Sequence, residues 1–423
     1  MEYKNVAFWC ENIFGFYTLK PIVERYQKKN YKIFVYTRKH NIKIFINYIN
    51  SSQNIEIIAI EDIDSIFLRV LNYIYKNFLT NPKFSQMYYR QRKNNRDNFY
   101  HKYLGKTFYV SDKKINNLYT KFFSLFKNRL KSNLLISISR VHSNHLVCSK
   151  STKHVSIMES WDHPVKAPYF HRPDVLLTWN EDLKTDYQKY QDFTDIKMYK
   201  MKPLKFRYIE ERSNKSPESL IKSLKNENYI DDLNLVKFAN IILYIATTSS
   251  VNPSGHKGEM KLIEQLCMAT QKLGKKLYIK PKPNGPQGDY DIFRKKYSNV
   301  IVGTYATNPN SIDMLDEEYH TFRYLLLYYA DFIVNFGTTF VLEASLLDKP
   351  ILQLNLSKKD YGEFGEYSEN LHIKKYLLNE YSVKIKNEND LIDILQKTQE
   401  VFKLYSGKIK KWILDNETTK SAI

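Results

Sequence analysis

Cysteine is scarce: there are three in 423 residues, Cys10, Cys148 and Cys267. They are odd in number, far apart and never in a Cys-x-x-Cys spacing. Neither a disulfide framework nor a structural zinc site is expected, and a reducing compartment is the simpler setting. Long apolar runs are missing as well. No stretch approaches the roughly 18 apolar residues of a membrane-spanning helix, and the run at 6–10 is too short for a signal-peptide core. The expectation is a cytoplasmic protein, free or held at the inner face of the plasma membrane. No repeat of fixed period and no low-complexity block occurs. Hydrophobic residues make up 43 % of the chain, which excludes bulk disorder and can fill a core in each of the two domains its length implies.

Acidic residues are short above all in one segment. Between residues 69 and 131, fifteen Lys/Arg stand against two acids, Asp97 and Asp112, with fifteen Phe/Tyr interleaved. This segment contributes much of the net charge of +20. The plain reading is a set of solvated helices whose aromatics face a core. A second is peripheral contact with an anionic membrane, bases on head groups and aromatics at the interface. A third is nucleic acid, which ranks last because no binding motif accompanies the charge.

The pattern along the chain is strand, helix, strand. Strands are expected at 6–10, 32–37, 55–60, 134–139, 154–158 and 175–179, the last of these closing the first half. A loop is expected over 11–16 and a helix over 18–29, and 66–131 reads as a mostly helical basic insertion. The stretch 183–235 is charged and has few apolar runs. The grammar then restarts, with strands at 241–246, 276–280, 300–302, 332–336 and 350–354. Helices fall between them at 259–273, 322–329 and 340–347, and helical spacing returns over 389–415. Strands alternating with helices imply parallel sheets covered on both faces. The expected organisation is a Rossmann-like acceptor domain over 1–200 with the basic helical insertion 66–131, a linker over 201–235, a Rossmann-like nucleotide-donor domain over 236–388, and a helical tail over 389–423 that can cross back to the first domain.

The sharpest local signal is 330–354, ADFIVNFGTTFVLEASLLDKPILQL. A buried strand ends in Gly-Thr-Thr and turns into a helix. Gly337 would let the backbone approach a ligand closely. Thr338 and Thr339 stand at a helix N-terminus, where phosphate is favoured, and Glu343, about one turn later, can accept from ribose hydroxyls. A plain N-capped helix explains the same spacing equally well. The loop after 246 carries Thr247, Thr248, Ser249, Ser250, Gly255, His256 and Lys257 at the carboxyl edge of a sheet, where open α/β sheets bind ligands. An exposed polar turn is the alternative there.

The 330–354 segment resembles the donor-binding stretch of GT-B glycosyltransferases and of the related CDP-glycerol glycerophosphotransferases and UDP-N-acetylglucosamine 2-epimerases. In those, a strand, a small Gly/Ser/Thr loop and a helix carrying Glu precede a Lys-Pro strand, here Lys349–Pro350. The resemblance implies a two-domain α/β fold of GT-B type facing a central cleft. It also implies that Gly337, Thr338 and Thr339 hold donor phosphate and Glu343 the ribose. Residues 155–181 are similar to a stretch of bacterial surface-polysaccharide glycosyltransferases through Ser160, Trp161, Asp162, Lys166, Pro173, Asp174, Trp179 and Asn180. His163 stands where that pattern has Asn. Lys282–Pro283 stands where the families often show His-Pro, and Lys282 could still neutralise a donor phosphate.

Donor binding is therefore expected at Gly337, Thr338, Thr339, Glu343, Lys282, Thr248, Ser249 and Lys257. A base for the acceptor hydroxyl is expected among Glu11, His142, His145 and Asp162, each at the carboxyl end of an expected strand; for any one of them a surface or capping role is the plainer reading. Asp289 and Asp291 have the spacing of a metal-binding pair but no nearby third ligand, so neither metal nor cofactor is expected. The expected activity is transfer of a sugar from a nucleotide-sugar donor to a glycan or lipid-linked acceptor of the cell surface. The alternatives are a CDP-glycerol-type polyol-phosphate transferase, a sugar-nucleotide epimerase, and a non-catalytic lipid- or nucleic-acid-binding protein.

Overall fold

The computed structural model describes residues 5–10, 13–49, 54–60, 130–138, 152–166, 173–191, 193–237, 240–247, 256–281, 287–303, 317–370, 372–396 and 399–414. Of the expected basic insertion 66–131, all but Leu130 and Lys131 lies outside them. The chain divides into two compact units, Met1–Lys205 with Leu414–Ile423, and Phe206–Ile413.

The first unit is built on a seven-stranded sheet: β1 (Asn5–Trp9), β2 (Lys32–Thr37), β3 (Ile55–Ala59), β4 (Leu134–Ile138), β5 (Lys153–Ile157), β6 (Val175–Thr178) and β7 (Lys197–Lys200). Their spatial order is β3-β2-β1-β4-β5-β6-β7, and every pairing is parallel. Inner strands such as β1 and β2 are largely apolar because a parallel sheet is covered on both faces; Val6, Ala7, Phe8, Ile33, Val35 and Leu135 are among the buried core, and the buried polar pair Ser137–His154 joins β4 to β5 at 2.7 Å. β7 (KMYK) alternates exposed and half-buried positions, as an edge strand does. It follows the strand expected to be last, which was β6. Helix α1 (Ile13–Lys28) begins five residues before the expected start, so the expected loop over 11–16 is mostly helix, and Pro21 lies inside it. Helices α2 (Ile42–Ile49) and α3 (Glu181–Gln191), with a single helical turn at His163–Lys166, are the other described α-helices of this unit.

The second unit holds six strands, β8 (Ile241–Ile245), β9 (Lys276–Lys280), β10 (Val300–Val302), β11 (Phe332–Asn335), β12 (Ile351–Leu356) and β13 (Val383–Ile385). They are ordered β10-β9-β8-β11-β12-β13 and all parallel. This is the doubly wound order, with its reversal of direction between β8 and β11. The segment expected as a linker, 201–235, instead forms α4 (Arg207–Ser213), α5 (Pro217–Lys222) and α6 (Glu227–Val236). Ser216 caps α5 and Asn226 caps α6 through side-chain oxygens that accept from Ser219 and Asn228 amides. All three pack on α9 (Glu317–Tyr329): Tyr229 stacks on Phe322 with centroids 4.8 Å apart, and the Arg212 Nε donates to Thr321 at 2.9 Å.

The remaining helices of this unit are α7 (His256–Lys272), α8 (Asp291–Lys296), α10 (Phe340–Leu346), α11 (Lys358–Glu366), α12 (Glu388–Gln396) and α13 (Glu400–Leu414). Of the tail expected over 389–423, residues 389–396 fall in α12 and 400–414 in α13, and 397–398 and 415–423 lie outside the described ones. None of the described helices is long and apolar enough to cross a membrane.

Helix α7 meets α11 with almost no gap. A Cβ added at Gly258 would sit 2.1 Å from the Tyr361 carbonyl oxygen and 2.6 Å from the Phe364 Cβ. Backbone cannot yield as a side-chain tip can. Gly258→Ala is expected to lower unfolding free energy by about 1–3 kcal/mol in urea melts. Gly407→Ala on α13, where an added Cβ meets nothing within 4 Å, is expected to stabilise by about 0.5–1 kcal/mol.

Candidate functional site

The carboxyl ends of β8, β9 and β11 gather the polar groups of the second unit. Asn335 ends β11, and Gly337, Thr338 and Thr339 follow it into α10. Gly337 has φ +73°, a left-handed conformation that side chains resist. A Cβ there would also lie 2.7 Å from Tyr367 and 3.0 Å from Ile373. The glycine thus admits Tyr367 and Ile373 of its own unit; this close approach is internal packing. The Thr338 hydroxyl donates to Asn335 Oδ1 at 2.5 Å, and Asn335 Nδ2 donates to Gln353 Oε1 of β12 at 2.6 Å. Both amide side chains are fully buried, while Thr338 is half-buried. Thr339 takes the cap position of α10 with helical backbone angles and no side-chain capping bond.

Beside this elbow lies a cluster of buried charge. Glu343 is 1 % exposed. One carboxylate oxygen accepts from the Tyr208 hydroxyl at 2.5 Å and the other pairs with Arg323. The Arg323 guanidinium carbon lies 4.7 Å from the Phe340 ring centroid, and Lys280 Nζ lies 5.1 Å from the same centroid. Lys280 ends β9 and is itself buried. Burial lowers its ammonium to about 7, the Arg323 charge adds to this and Glu343 opposes it. Burial, with Glu343 beside it, pushes the Tyr208 phenol well above its usual value. His320 packs its ring 4.8 Å from Tyr208 and is held neutral, lowered to about 2 by burial and by Arg323, Arg212 and Arg207. An anion brought to this edge would meet the Arg323 guanidinium, the Lys280 amine, which the anion would help to keep protonated, and one carboxylate.

At the end of β8, Glu259 of α7 is completely buried and accepts from the Tyr244 hydroxyl (3.0 Å), the Thr247 amide (2.7 Å), the Thr247 hydroxyl (3.1 Å) and the Tyr290 hydroxyl (3.3 Å). It pins the start of the loop that follows β8. His256, the first residue of α7, pairs through Nε2 with Asp289 at 2.9 Å, while Asp291 pairs with Arg294 at 3.1 Å. Asp289 and Asp291 thus serve separate partners. Lys257 is exposed on the first turn of α7, and Thr248, Ser249 and Lys282 lie outside the described residues.

Of the expected donor-binding residues, the structure therefore brings together Gly337, Thr338, Thr339 and Glu343. Lys280, Arg323, Tyr208, Asn335 and Glu259 were not singled out from sequence. The signal for Arg323 was a single charge inside the apolar run TFRYLLL, and for Lys280 a lysine directly closing the apolar LYI of KLYIK.

In the first unit, Glu11, His142 and His145 lie outside the described residues. Asp162 follows β5 and is 6 % exposed. Several residues of the 155–181 resemblance have structural partners. Asp174 accepts from the His154 amide at 2.7 Å, Trp179 is buried and donates to the Met158 carbonyl at 3.0 Å, and Asn180 caps α3 by accepting from Leu183 at 2.9 Å.

Two parallel doubly wound units in one chain define the GT-B type of fold. Solved structures of that type are similar to this chain over nearly its whole length. The Staphylococcus aureus MnaA–UDP co-structure matches with TM-score 0.50 at 9 % identity, covering 99 % of this chain and 99 % of that one. A putative UDP-N-acetylglucosamine 2-epimerase from Listeria monocytogenes matches with TM-score 0.50 at 10 % identity, covering 96 % and 91 %. The wall teichoic acid polymerase TagF, in an H444N form soaked with CDPG, follows with TM-score 0.48 at 10 % identity, covering 98 % and 85 %. No family model and no curated protein matches the sequence.

The position of Lys280 has a measurable consequence. In the unfolded chain its ammonium titrates near 10.5, in the folded one near 7. Between those values the unfolded state carries a proton that the folded state has released, so stability rises with pH, by up to about 1.4 kcal/mol per unit. Lys280→Met is expected to remove that slope. Urea melts of the two proteins between about pH 7 and 9 check it; parallel profiles would mean the amine stays charged in the fold.

Proposed function

We propose that the chain is a glycosyltransferase that moves a sugar from a nucleotide-activated donor to a cell-surface glycan or lipid-linked acceptor, with the donor bound by the second unit. The observation that carries this reading is the meeting of the Gly337–Thr338–Thr339 elbow with Lys280 and Arg323 at the reversal point of a doubly wound sheet, where such sheets bind nucleotides. The MnaA structure of like fold, solved with UDP, supports a nucleoside diphosphate as the ligand.

In this reading the leaving nucleoside diphosphate gains negative charge as the sugar departs. Lys280 and Arg323, with the backbone N–H groups of the elbow, stabilise that charge because they are held in place before the reaction starts. Glu343 has two of its four acceptor positions engaged by Tyr208 and Arg323; the others remain for a ribose hydroxyl. Lys257, Lys282, Thr248 and Ser249 complete the donor contacts. A base from the first unit, one of Glu11, His142, His145 and Asp162, takes the acceptor proton. The basic segment 66–131 holds the protein against an anionic membrane where a lipid-linked acceptor resides. A polyol-phosphate transferase would use the same donor groups and differ in what it transfers.

Thermal-shift titration with UDP-, CDP-, GDP- and CMP-linked donors is expected to single out one base. No shift with any of them, together with salt-sensitive binding to RNA or anionic liposomes, would replace the transferase with a non-catalytic binding protein. With the donor known, alanine is placed in turn at Glu11, His142, His145 and Asp162. One variant is expected to lose about 100-fold or more in turnover, and four fully active variants would remove the proposed base.

A further inference from the structure

The direction of the hydrogen bonds behind the elbow can be read from one end. Gln353 Nε2 lies 3.1 Å from the Leu354 carbonyl oxygen, which only accepts, so the atom facing it must be the nitrogen. Gln353 Oε1 then faces Asn335 at 2.6 Å, and the facing atom of Asn335 must be its NH2 group. Asn335 Oδ1 is left facing Thr338 at 2.5 Å, and only the hydroxyl proton of Thr338 can lie between them. Tyr405 does not disturb this order, because its hydroxyl donates to the Leu377 carbonyl at 2.8 Å and stands 3.4 Å from Gln353. Asn335, Gln353 and Tyr405 are all fully buried, so water cannot reverse the relay.

We propose that Asn335 and Gln353 are positioning residues that commit the Thr338 proton inward, so that Thr338 meets a bound donor as a hydrogen-bond acceptor and recognises a sugar hydroxyl in place of a phosphate oxygen. A phosphate oxygen brings lone pairs against lone pairs here; a hydroxyl brings the proton that Thr338 Oγ1 lacks on its outer side. The hydroxyl belongs either to the ribose of the nucleotide or to the sugar it carries. Phosphate is left to backbone N–H groups and to the cations. The proposal rests on the nucleotide-donor reading and reassigns one residue within it.

The test uses the full chain and calorimetry. The ligands are UDP and UDP-GlcNAc, or the matching pair for whichever base the donor screen selects, and pyrophosphate measured by displacement of the nucleotide. Thr338→Val keeps the shape and removes the oxygen; Thr338→Ser keeps the hydroxyl. The Val variant is expected to weaken the nucleotide or sugar-nucleotide roughly 5-fold, to leave pyrophosphate unchanged, and to be rescued by Ser. Loss already with UDP points to the ribose hydroxyl, and loss only with the sugar-nucleotide points to the carried sugar. Gln353→Leu frees the Asn335 amide to turn, and is expected to shift preference towards pyrophosphate. Equal loss for pyrophosphate and nucleotide, or no loss for either, overturns the proposal. An unmoved preference in Gln353→Leu overturns the positioning role. If the wild type binds none of these ligands, the donor-binding reading itself has failed, and the assignment of Thr338 fails with it.

Discussion

Every strand pairing in both sheets is parallel, and from this constraint the placement of the chemistry follows. Parallel strands send all their carboxyl ends to one edge. The crossover helices cover both faces, so polar groups in or next to the strands reach water chiefly at the two ends of the strands, and those that follow a strand do so at the carboxyl edge. Lys280, Asn335 and Thr247 are strand ends or their immediate neighbours in the second unit. Each comes to the same edge because the strand before it is apolar throughout and cannot be shifted without burying a charge or exposing a core residue.

Bringing charge to a half-buried edge costs desolvation, and the fold offsets it locally. Arg323 is neutralised by Glu343, and Tyr208 occupies the second carboxylate oxygen. A pair of this kind stabilises little in itself, but losing one partner leaves an uncompensated buried charge. Glu343 therefore has a structural role through Arg323 and Tyr208. The same holds for Glu259, whose four donors come from the end of β8, the next residues and Tyr290. Helix α4 enters here too, since it carries Tyr208, whose hydroxyl closes on Glu343 from that side.

How much of this could be read from sequence depended on burial. Covered strands announce themselves as runs such as IILYI and FIVN, and their order along the chain carried the fold class. Edge strands do not: β7 is KMYK and β13 is VKI, each with an exposed or half-buried face, and neither run stands out as apolar. The expected linker failed for a related reason. Helices α4 to α6 cover α9 with one narrow face each, so Tyr208, Leu220, Tyr229 and Leu233 are buried among residues that are mostly polar or charged. At the site, the Gly-Thr-Thr elbow was visible because its residue types are local. Arg323 and Tyr208 were not, because they reach Glu343 from 20 and 135 positions away.

The residues that sequence did expose changed meaning once their partners were known. Gly337 was read as room for a ligand, yet Tyr367 and Ile373 fill the space its missing side chain leaves. The resemblance implies that Thr338 helps hold a donor phosphate, yet its hydroxyl proton goes to Asn335. Neither finding removes the elbow from a binding role, because each concerns only the inward side of the group. A hydroxyl has one proton and two lone pairs, and a carboxylate has four acceptor positions. What the scaffold takes determines what a ligand can still be offered. The scaffold takes a proton from Thr338 and two acceptor positions from Glu343. The outward side of Thr338 is then an acceptor, Glu343 is an acceptor held within the edge, and Lys280 and Arg323 are donors. On the proposed reading, the ligand of this edge carries hydroxyls and an anionic group together, as a sugar-nucleotide does and an isolated phosphate does not.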